Sequence, residues 1–131
     1  MPRLTSLDHL VLTVASIPVT ARFYETVLGM MVDVFTPADG STRSALKFGN
    51  QKINLHQAGA EFEPKASAAT RGSADLCFLS DTNVNDWIAH LKNHNVRIED
   101  GPIARTGATG PILSIYIRDP DGNLIEISNA V

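Results

Sequence analysis

The chain repeats one strand pattern, and this duplication constrains its fold more than any other feature of the sequence. Residues 9–14 (HLVLTV) and 75–80 (DLCFLS) are both short alternating apolar segments, which is typical of half-buried strands. They lie about 66 residues apart, with Asp75 in the place of His9. A pattern that returns at such a distance predicts two copies of one supersecondary unit.

Each copy continues with a helix and three more strands. Ser16 and Thr82 occupy the expected N-cap positions, while Gly29 and Asn95 suit the left-handed residue that closes a helix. We predict an α+β fold of two βαβββ modules, residues 1–57 and 73–131, in a single domain 1–131 with residues 58–72 as the connecting loop. The later strands are predicted at 30–36, 42–48, 52–57, 96–99, 112–118 and 124–128.

Composition excludes several classes of protein. The net charge is −3 and no run of Lys or Arg occurs, so the chain lacks the basic patch that nucleic acid or an anionic membrane would require. Cys77 is the only cysteine, which excludes an internal disulfide and suits a reducing compartment. The first apolar run is too short for a signal peptide or a membrane span. We therefore expect a cytoplasmic protein.

Four polar side chains interrupt the apolar alternation at positions that we predict to be related by the duplication. His9 and Asp75 lie on the first strands of the two copies, and we predict that His56 and Glu126 are equivalent on the last strands. A lone polar residue on a strand usually faces solvent. Two imidazoles and one or two carboxylates, however, are a ligand set suited to a divalent ion such as Zn, Ni, Co, Mn or Fe. The pattern favours a metal site.

Several blocks carry a resemblance to a known family. LDHLVLTV, FYETVLGM, INLH and SIYIRDPDGNLIEIS resemble the glyoxalase/bleomycin-resistance/dioxygenase superfamily of vicinal oxygen chelate proteins, over nearly the whole chain. LKFGNQKINLHQ and RTGATGPILSIY are most similar to the glyoxalase-domain-containing protein 5 group. The resemblance implies that the paired modules form a cupped mixed sheet with helices outside. It also implies a metal in the cup, at positions falling on His9, His56 and Glu126, with Asp75 fourth.

The same resemblance implies a glyoxalase-type lyase, found chiefly in bacterial relatives, that acts on a small metal-chelating substrate through an enediolate. Glu126 is the expected base, with His56 or Asp75 as alternatives. Thr13 and Ala60 replace an Arg and an Asn that hold glutathione in bacterial glyoxalase I. Whether the substrate is a thiol adduct therefore stays open.

Two other functions fit the resemblance. Ser114 and Tyr116 match a Ser-x-Tyr pair of fosfomycin-resistance enzymes, although Val11 replaces a Thr of the glutathione-using members. A non-catalytic protein that sequesters a ligand, like the bleomycin-resistance proteins, is the other alternative. Arg105, in the glycine-rich segment GPIARTGATGP, would bind an anionic substrate if that segment were a lid rather than a crossover. In each case we expect a homodimer, because modules from two chains complete each cup in many relatives.

Three further residues have an ordinary explanation. His90 and His94 are four residues apart on the second helix and could pair on a metal, but exposed histidines on a helix flank are more common. Cys77 shares a strand face with Asp75, so it would line the pocket or, as we expect, pack as a small buried side chain.

Overall fold

The computed structural model describes residues 1–131, and its elements follow the order βαβββ twice. Contacts divide the chain into two units, Met1–Arg71 and Gly72–Val131. Unit 1 contains β1 (His9–Val14), α1 (Ile17–Thr26), β2 (Met31–Phe35), β3 (Arg43–Phe48) and β4 (Gln51–Gln57). Unit 2 contains β5 (Asp75–Leu79), α2 (Val84–Asn93), β6 (Asp100–Thr106), β7 (Pro111–Arg118) and β8 (Leu124–Ala130).

Each unit is built around a parallel pair of strands. The order is β1-β4-β3-β2 in one sheet and β5-β8-β7-β6 in the other. The first and last strands of each unit are parallel neighbours, and the remaining pairs are antiparallel. Two parallel strands must be joined by a connection that crosses from one end of the sheet to the other. In both units the helix is the first part of that connection. The α+β class and the doubled βαβββ order are therefore confirmed.

The helices begin and end where the sequence gives a physical reason. Ser16 caps α1, and its hydroxyl accepts a hydrogen bond from the Val19 N–H. Gly29 and Asn95 adopt φ angles of 71° and 57°, as expected for left-handed residues after a helix. The predicted cap Thr82 is wrong by one position, because Asn83 accepts the hydrogen bond from the Asn85 N–H. Neither helix is long and apolar enough to cross a membrane.

One face of each sheet packs against its own helix. In unit 1, Leu12 and Val14 of β1 alternate with Val11 and Thr13, which lie on the opposite face, so the apolar residues share the helix-covered face. The same alternation holds in unit 2. The fully buried apolar side chains include Val14, Tyr24, Leu46, Ile53, Leu55, Val84, Leu91, Ile115, Ile117 and Ile125. The opposite faces carry the polar residues that the sequence singles out.

The prediction for β6 is wrong. We expected a strand at residues 96–99 followed by a lid or crossover, whereas the strand is Asp100–Thr106 and includes Arg105. Gly101 and Pro102 suggested a loop. The strand tolerates them because it is the edge strand of its sheet and its register shifts between Asp100 and Ile103. Only the short turn from Gly107 to Gly110 remains outside regular structure, and a single N–H to carbonyl bond of 2.8 Å closes it.

A buried polar network fixes the turn that leads into β8. Asn123 is 1% exposed, and its Oδ1 accepts a hydrogen bond from the Ala74 N–H at 2.9 Å. Its Nδ2 donates to Asp119 Oδ2 at 2.8 Å, while Asp119 Oδ1 accepts from the N–H groups of Asp121 and Asn123. The turn therefore joins the start of β5 to the start of β8, the strand that carries Glu126.

We expect Asn123→Ala to destabilise the protein by about 2–3 kcal/mol, because the Ala74 N–H and the Asp119 carboxylate would be left without their buried partner. Asn50→Ala, in the exposed turn before β4, should stay within about 0.5 kcal/mol of wild type. Urea unfolding measures both. Equal midpoints for the two variants would contradict the structural role of this turn.

Candidate functional site

The strand register corrects one predicted equivalence. Asn54 lies opposite Val11, the third residue of β1, and Glu126 lies opposite Cys77, the third residue of β5. His56 lies opposite the fifth residue of β1, and Ser128 likewise lies opposite the fifth residue of β5. Asn54, not His56, is therefore the counterpart of Glu126. The equivalence that we predicted between His56 and Glu126 is wrong.

Asn54 has a feature that the sequence could not reveal. Its Oδ1 is buried and has no hydrogen-bond partner in the structure. Buried polar atoms are nearly always paired, so an unpaired one calls for an explanation such as a bound water, ion or ligand. Asn54 thus shares with Glu126 both its place in the repeat and the chemistry of an oxygen donor.

His9 has the surroundings of a metal ligand. Its side chain is 45% exposed, and its Nδ1 lies 2.8 Å from Asp8 Oδ1. Because a carboxylate can only accept, Nδ1 carries the hydrogen and Nε2 keeps its lone pair. Histidines that bind metals almost always donate their second ring nitrogen to a carboxylate or carbonyl in this way.

His56 is in a different environment. It is 6% exposed, and the ring of Phe62 meets it edge-on at a centroid distance of 5.4 Å. Burial first, and then the nearby charge of Arg43, lower the pKa of His56 below its usual 6.5, although Glu61 opposes them. Arg43 in turn stacks on Phe62, with Cζ 3.7 Å from the ring centroid. His56 is therefore a packed, neutral imidazole.

His9 and His56 are also far apart along the sheet. His9 lies opposite Lys52 and His56 opposite Thr13, so four residues, or roughly 13 Å, separate them along the strands. One ion cannot bind both from these positions, because metal–nitrogen bonds are about 2.0–2.1 Å.

Glu126 is oriented by two buried hydroxyls. The Ser114 hydroxyl donates to Glu126 Oε2 at 2.6 Å, and Ser128 Oγ lies 3.4 Å from the same oxygen. The two serines are 0% exposed and are 2.7 Å from each other. Since the Ser114 proton is used on the carboxylate, Ser128 must donate to Ser114. The chain of hydroxyls holds the carboxylate in one orientation.

A pocket of about 470 Å³ lies beside this carboxylate, entirely within unit 2. Glu126, Cys77 and Arg105 supply its reactive side chains. The other residues that line it are mostly apolar or belong to the turn after β6, namely Leu79, Thr106, Gly107, Ala108, Thr109, Gly110, Pro111, Ile112, Ala130 and Val131. A mostly apolar cavity with a few polar groups is the usual form of a small-molecule site.

Arg105 is fixed on the pocket wall by Tyr116. Its Nε donates to the Tyr116 hydroxyl at 2.9 Å, and this bond is the largest cause of the raised pKa of the guanidinium. The charge of Glu126 contributes to the same shift. Arg105 therefore remains a cation on the pocket wall.

The remaining predicted residues take different positions. Asp75 is exposed at the start of β5 and does not line the pocket. Cys77 is exposed and lines the pocket, so our expectation of a buried cysteine is wrong. Its Sγ lies 3.3 Å from Ser128 Oγ, and desolvation raises the pKa of the thiol despite that contact. Cys77 is consequently a neutral thiol.

The donor chemistry fits a divalent metal only in part. His9 and Glu126 each have the hydrogen-bonded support that metal ligands have. However, nowhere in the chain do three or more His, Cys, Asp or Glu side chains gather closely enough to hold an ion. His9 belongs to unit 1, whereas Glu126 and Asp75 belong to unit 2.

Sequence reasoning missed Asn54 and the supporting role of Ser128. The signal for Asn54 was present: in INL and IEI, the apolar residues on both sides of the polar one align Asn54 with Glu126. The hydroxyl chain had no such signal, because the contact between Ser114 and Ser128 depends on the pairing of β7 with β8.

We expect the His56 imidazole to titrate below pH 6.5 in a histidine-selective NMR experiment, because the folded state disfavours its charged form. The unfolded chain then binds more protons, so the contribution of His56 to stability is lost as pH falls below about 6.5. Arg43→Gln should raise the midpoint by removing a nearby cation. Lys47→Gln, at the other end of β3, serves as control. A wild-type midpoint above 6.5 would refute this assignment.

Comparison with known proteins identifies the family. The chain is 58% identical to the virulence protein STM3117 of Salmonella typhimurium, over 95% of this chain and 84% of that protein. It is 55% identical to the glyoxalase domain-containing protein RDO1 of Mycosarcoma maydis, over 95% and 68% of the two chains. An integron cassette structure from the mobile metagenome of V. Pseudocholerae superposes with a TM-score of 0.94 at 56% identity, over 100% of this chain and 98% of the other.

More distant structures share the fold alone. Lactoylglutathione lyase from Agrobacterium tumefaciens has a TM-score of 0.72 at 22% identity, over 98% and 96% of the two chains. The fosfomycin resistance protein FosX of Listeria monocytogenes, solved with Mn(II), has a TM-score of 0.64 at 19% identity, over 95% and 90%. The family model "Glyoxalase/Bleomycin resistance protein/Dioxygenase superfamily" matches residues 6–127. The chain belongs to that superfamily.

Proposed function

We propose that this protein is a metal-dependent glyoxalase-type enzyme, a lyase that moves a proton between neighbouring carbons of a small oxygenated substrate. One observation carries the proposal: a carboxylate, Glu126, is held by buried hydroxyls at the wall of a pocket of about 470 Å³. A general base must be fixed within reach of the proton that it removes, and a carboxylate held at the wall of a pocket supports that role.

Glu126 is the base in this proposal. Both serine contacts fall on Oε2, which leaves Oε1 as the oxygen that would accept the substrate proton when it is not bound to the metal. The Ser114 hydroxyl keeps the carboxylate from rotating away while the proton moves. Holding a catalytic group in one geometry lowers the barrier because less freedom is lost in the transition state.

Arg105 and Tyr116 orient the substrate. The guanidinium, fixed through its Nε, presents its remaining N–H groups to an anionic group such as a carboxylate. The apolar residues of the pocket wall would contact the carbon chain of the substrate and exclude water from the reacting carbons. We therefore favour a small anionic hydroxy or oxo compound, free or as a thiol adduct.

Each unit carries part of the proposed ligand set, His9 in unit 1 and Glu126 with Asp75 in unit 2. A homodimer would let a second chain supply the donors that one unit lacks. A divalent ion supplies Lewis acidity, which stabilises negative charge on neighbouring substrate oxygens. Support comes from the hydrogen bond between His9 and Asp8 and from the metal in the distant FosX structure. His56 is the weakest of the predicted ligands because it is buried and neutral.

Fosfomycin-type epoxide opening is the second candidate. The Arg105–Tyr116 pair places a cation and a hydroxyl on one wall, which would suit a phosphonate. The chain is also 27% identical to the metallothiol transferase FosB of Staphylococcus epidermidis.

Three further predictions are still untested. They are sequestration of a ligand without catalysis, a cytoplasmic location, and membership of the glyoxalase-domain-containing protein 5 group.

The metal is tested by mass spectrometry of untagged protein purified without chelators. We expect His9→Gln and Glu126→Gln to lose a divalent ion that wild type retains, while His56→Gln keeps it. Loss of the ion from His56→Gln instead would restore His56 as a ligand. If wild type takes up no ion that depends on His9 or Glu126, the protein is a ligand-binding module rather than a metalloenzyme.

Catalysis is tested by the exchange of substrate C–H for deuterium in D₂O with 2-oxoaldehyde thiol adducts, and by opening of the epoxide ring with fosfomycin. We expect Glu126→Gln to slow turnover by at least about 10²-fold, because the substitution removes both the proposed base and a proposed metal ligand. Glu63→Gln, an exposed carboxylate of unit 1, is the matched control. Full activity in Glu126→Gln would reject Glu126 as the base.

A further inference from the structure

Two imidazoles lie side by side at the end of α2, away from the pocket. His90 is in the last turn of the helix and His94 is its C-cap residue. Residues four apart occupy the same helix face, and the two ring centroids are 4.3 Å apart with planes tilted by 43°. Trp87 meets His90 edge-on at 5.7 Å and is itself anchored, because its Nε1 donates to Ser80 Oγ at 2.9 Å.

The backbone sets the tautomer of His94. Its Nδ1 lies 2.9 Å from the carbonyl oxygen of His90. A carbonyl can only accept, so Nδ1 carries the hydrogen and Nε2, across the ring, keeps its lone pair. A metal-binding histidine usually has this arrangement, in which a carbonyl or carboxylate fixes the ring and the other nitrogen binds the ion.

The electrostatic environment also favours a cation. The carbonyl groups at the C-terminal end of a helix form the negative end of its dipole, and the pair lies at that end. Asp86 is one turn before His90 and adds negative charge on the same side of the helix. Lys92 lies between the two histidines in sequence and therefore projects from another face.

We propose that His90 and His94 form a two-nitrogen chelate site for a late first-row divalent cation, separate from the pocket of unit 2. Bonds of about 2.0–2.1 Å place two donor nitrogens roughly 3 Å apart on one ion. The two ring centroids are 4.3 Å apart, which is close enough for one nitrogen of each ring to reach a shared ion, and His94 is exposed to solvent. Imidazole donors suit Cu²⁺, Ni²⁺ and Zn²⁺, with Cu²⁺ bound most tightly.

The site is open. No third His, Cys, Asp or Glu side chain joins the pair, so water or an external ligand completes the coordination. A site with two protein ligands exchanges its ion readily and leaves positions for another donor. It differs from the proposed catalytic metal, which depends on His9 and Glu126, so the two proposals succeed or fail separately.

The test is titration of chelator-treated, untagged protein with Cu²⁺ by calorimetry, and with Zn²⁺ by histidine-selective NMR. We expect His94→Gln and His90→Gln each to weaken one Cu²⁺ site at least tenfold, since even the loss of a residue that supports a ligand costs 10–100-fold. Zn²⁺ should shift the signals of both rings together. His9→Gln is the matched control and should leave this site unchanged.

Two results would overturn the proposal. One is Cu²⁺ binding by His94→Gln and His90→Gln with wild-type affinity and stoichiometry. The other is Zn²⁺ shifts confined to His9 and His56, the remaining histidines of the chain. Matching thermal unfolding curves would show that the variants are folded, because His94 is exposed and contributes no core packing.

Discussion

The parallel pairing of the first and last strands of each unit determines which side chains lie on each face of the two sheets. In β1–β4 and β5–β8, every residue of the first strand has one defined partner on the last. A slip of one residue would turn each apolar side chain from the helix-covered face to the polar face, which would expose the core. The core therefore fixes the register, and the register decides which polar side chains become neighbours. Glu126 reaches the pocket because Ile125 and Ile127 are buried on either side of it.

The site of unit 2 shows how a buried polar group is accommodated in an apolar sheet. Ser114 and Ser128 lie directly opposite each other on β7 and β8, so their hydroxyls meet without any movement of the backbone. Each unpaired hydroxyl in such a position would cost about 1–3 kcal/mol. Linked to each other and to Glu126, they instead restrict one carboxylate. The hydrogen bonds that pair the two buried serine hydroxyls also hold the Glu126 carboxylate in one orientation.

Much of the fold could be predicted from the sequence, because alternation and helix caps are local signals. The doubled βαβββ order, the cap at Ser16 and the left-handed residues Gly29 and Asn95 all depend on neighbours within a few positions. The site could be predicted only in part. Glu126 and Arg105 do line one pocket. The similar order of strand, turn and strand suggests that His56 matches Glu126, but the register gives that place to Asn54. β6 was missed because Gly101 and Pro102 resemble a loop, and only the position of the strand at the sheet edge makes them acceptable.

Because β6 is an edge strand, the two charged side chains of the pocket are held to different degrees. Glu126 lies on β8, between β5 and β7, and is held on both sides, whereas Arg105 lies on a strand with one neighbour and a shifted register. Substitutions, insertions or a new turn in β6 can thus change which molecules enter without disturbing the carboxylate. Under the proposed function, variation in this outermost strand would change which substrates bind, while the inner strands keep Glu126 in place.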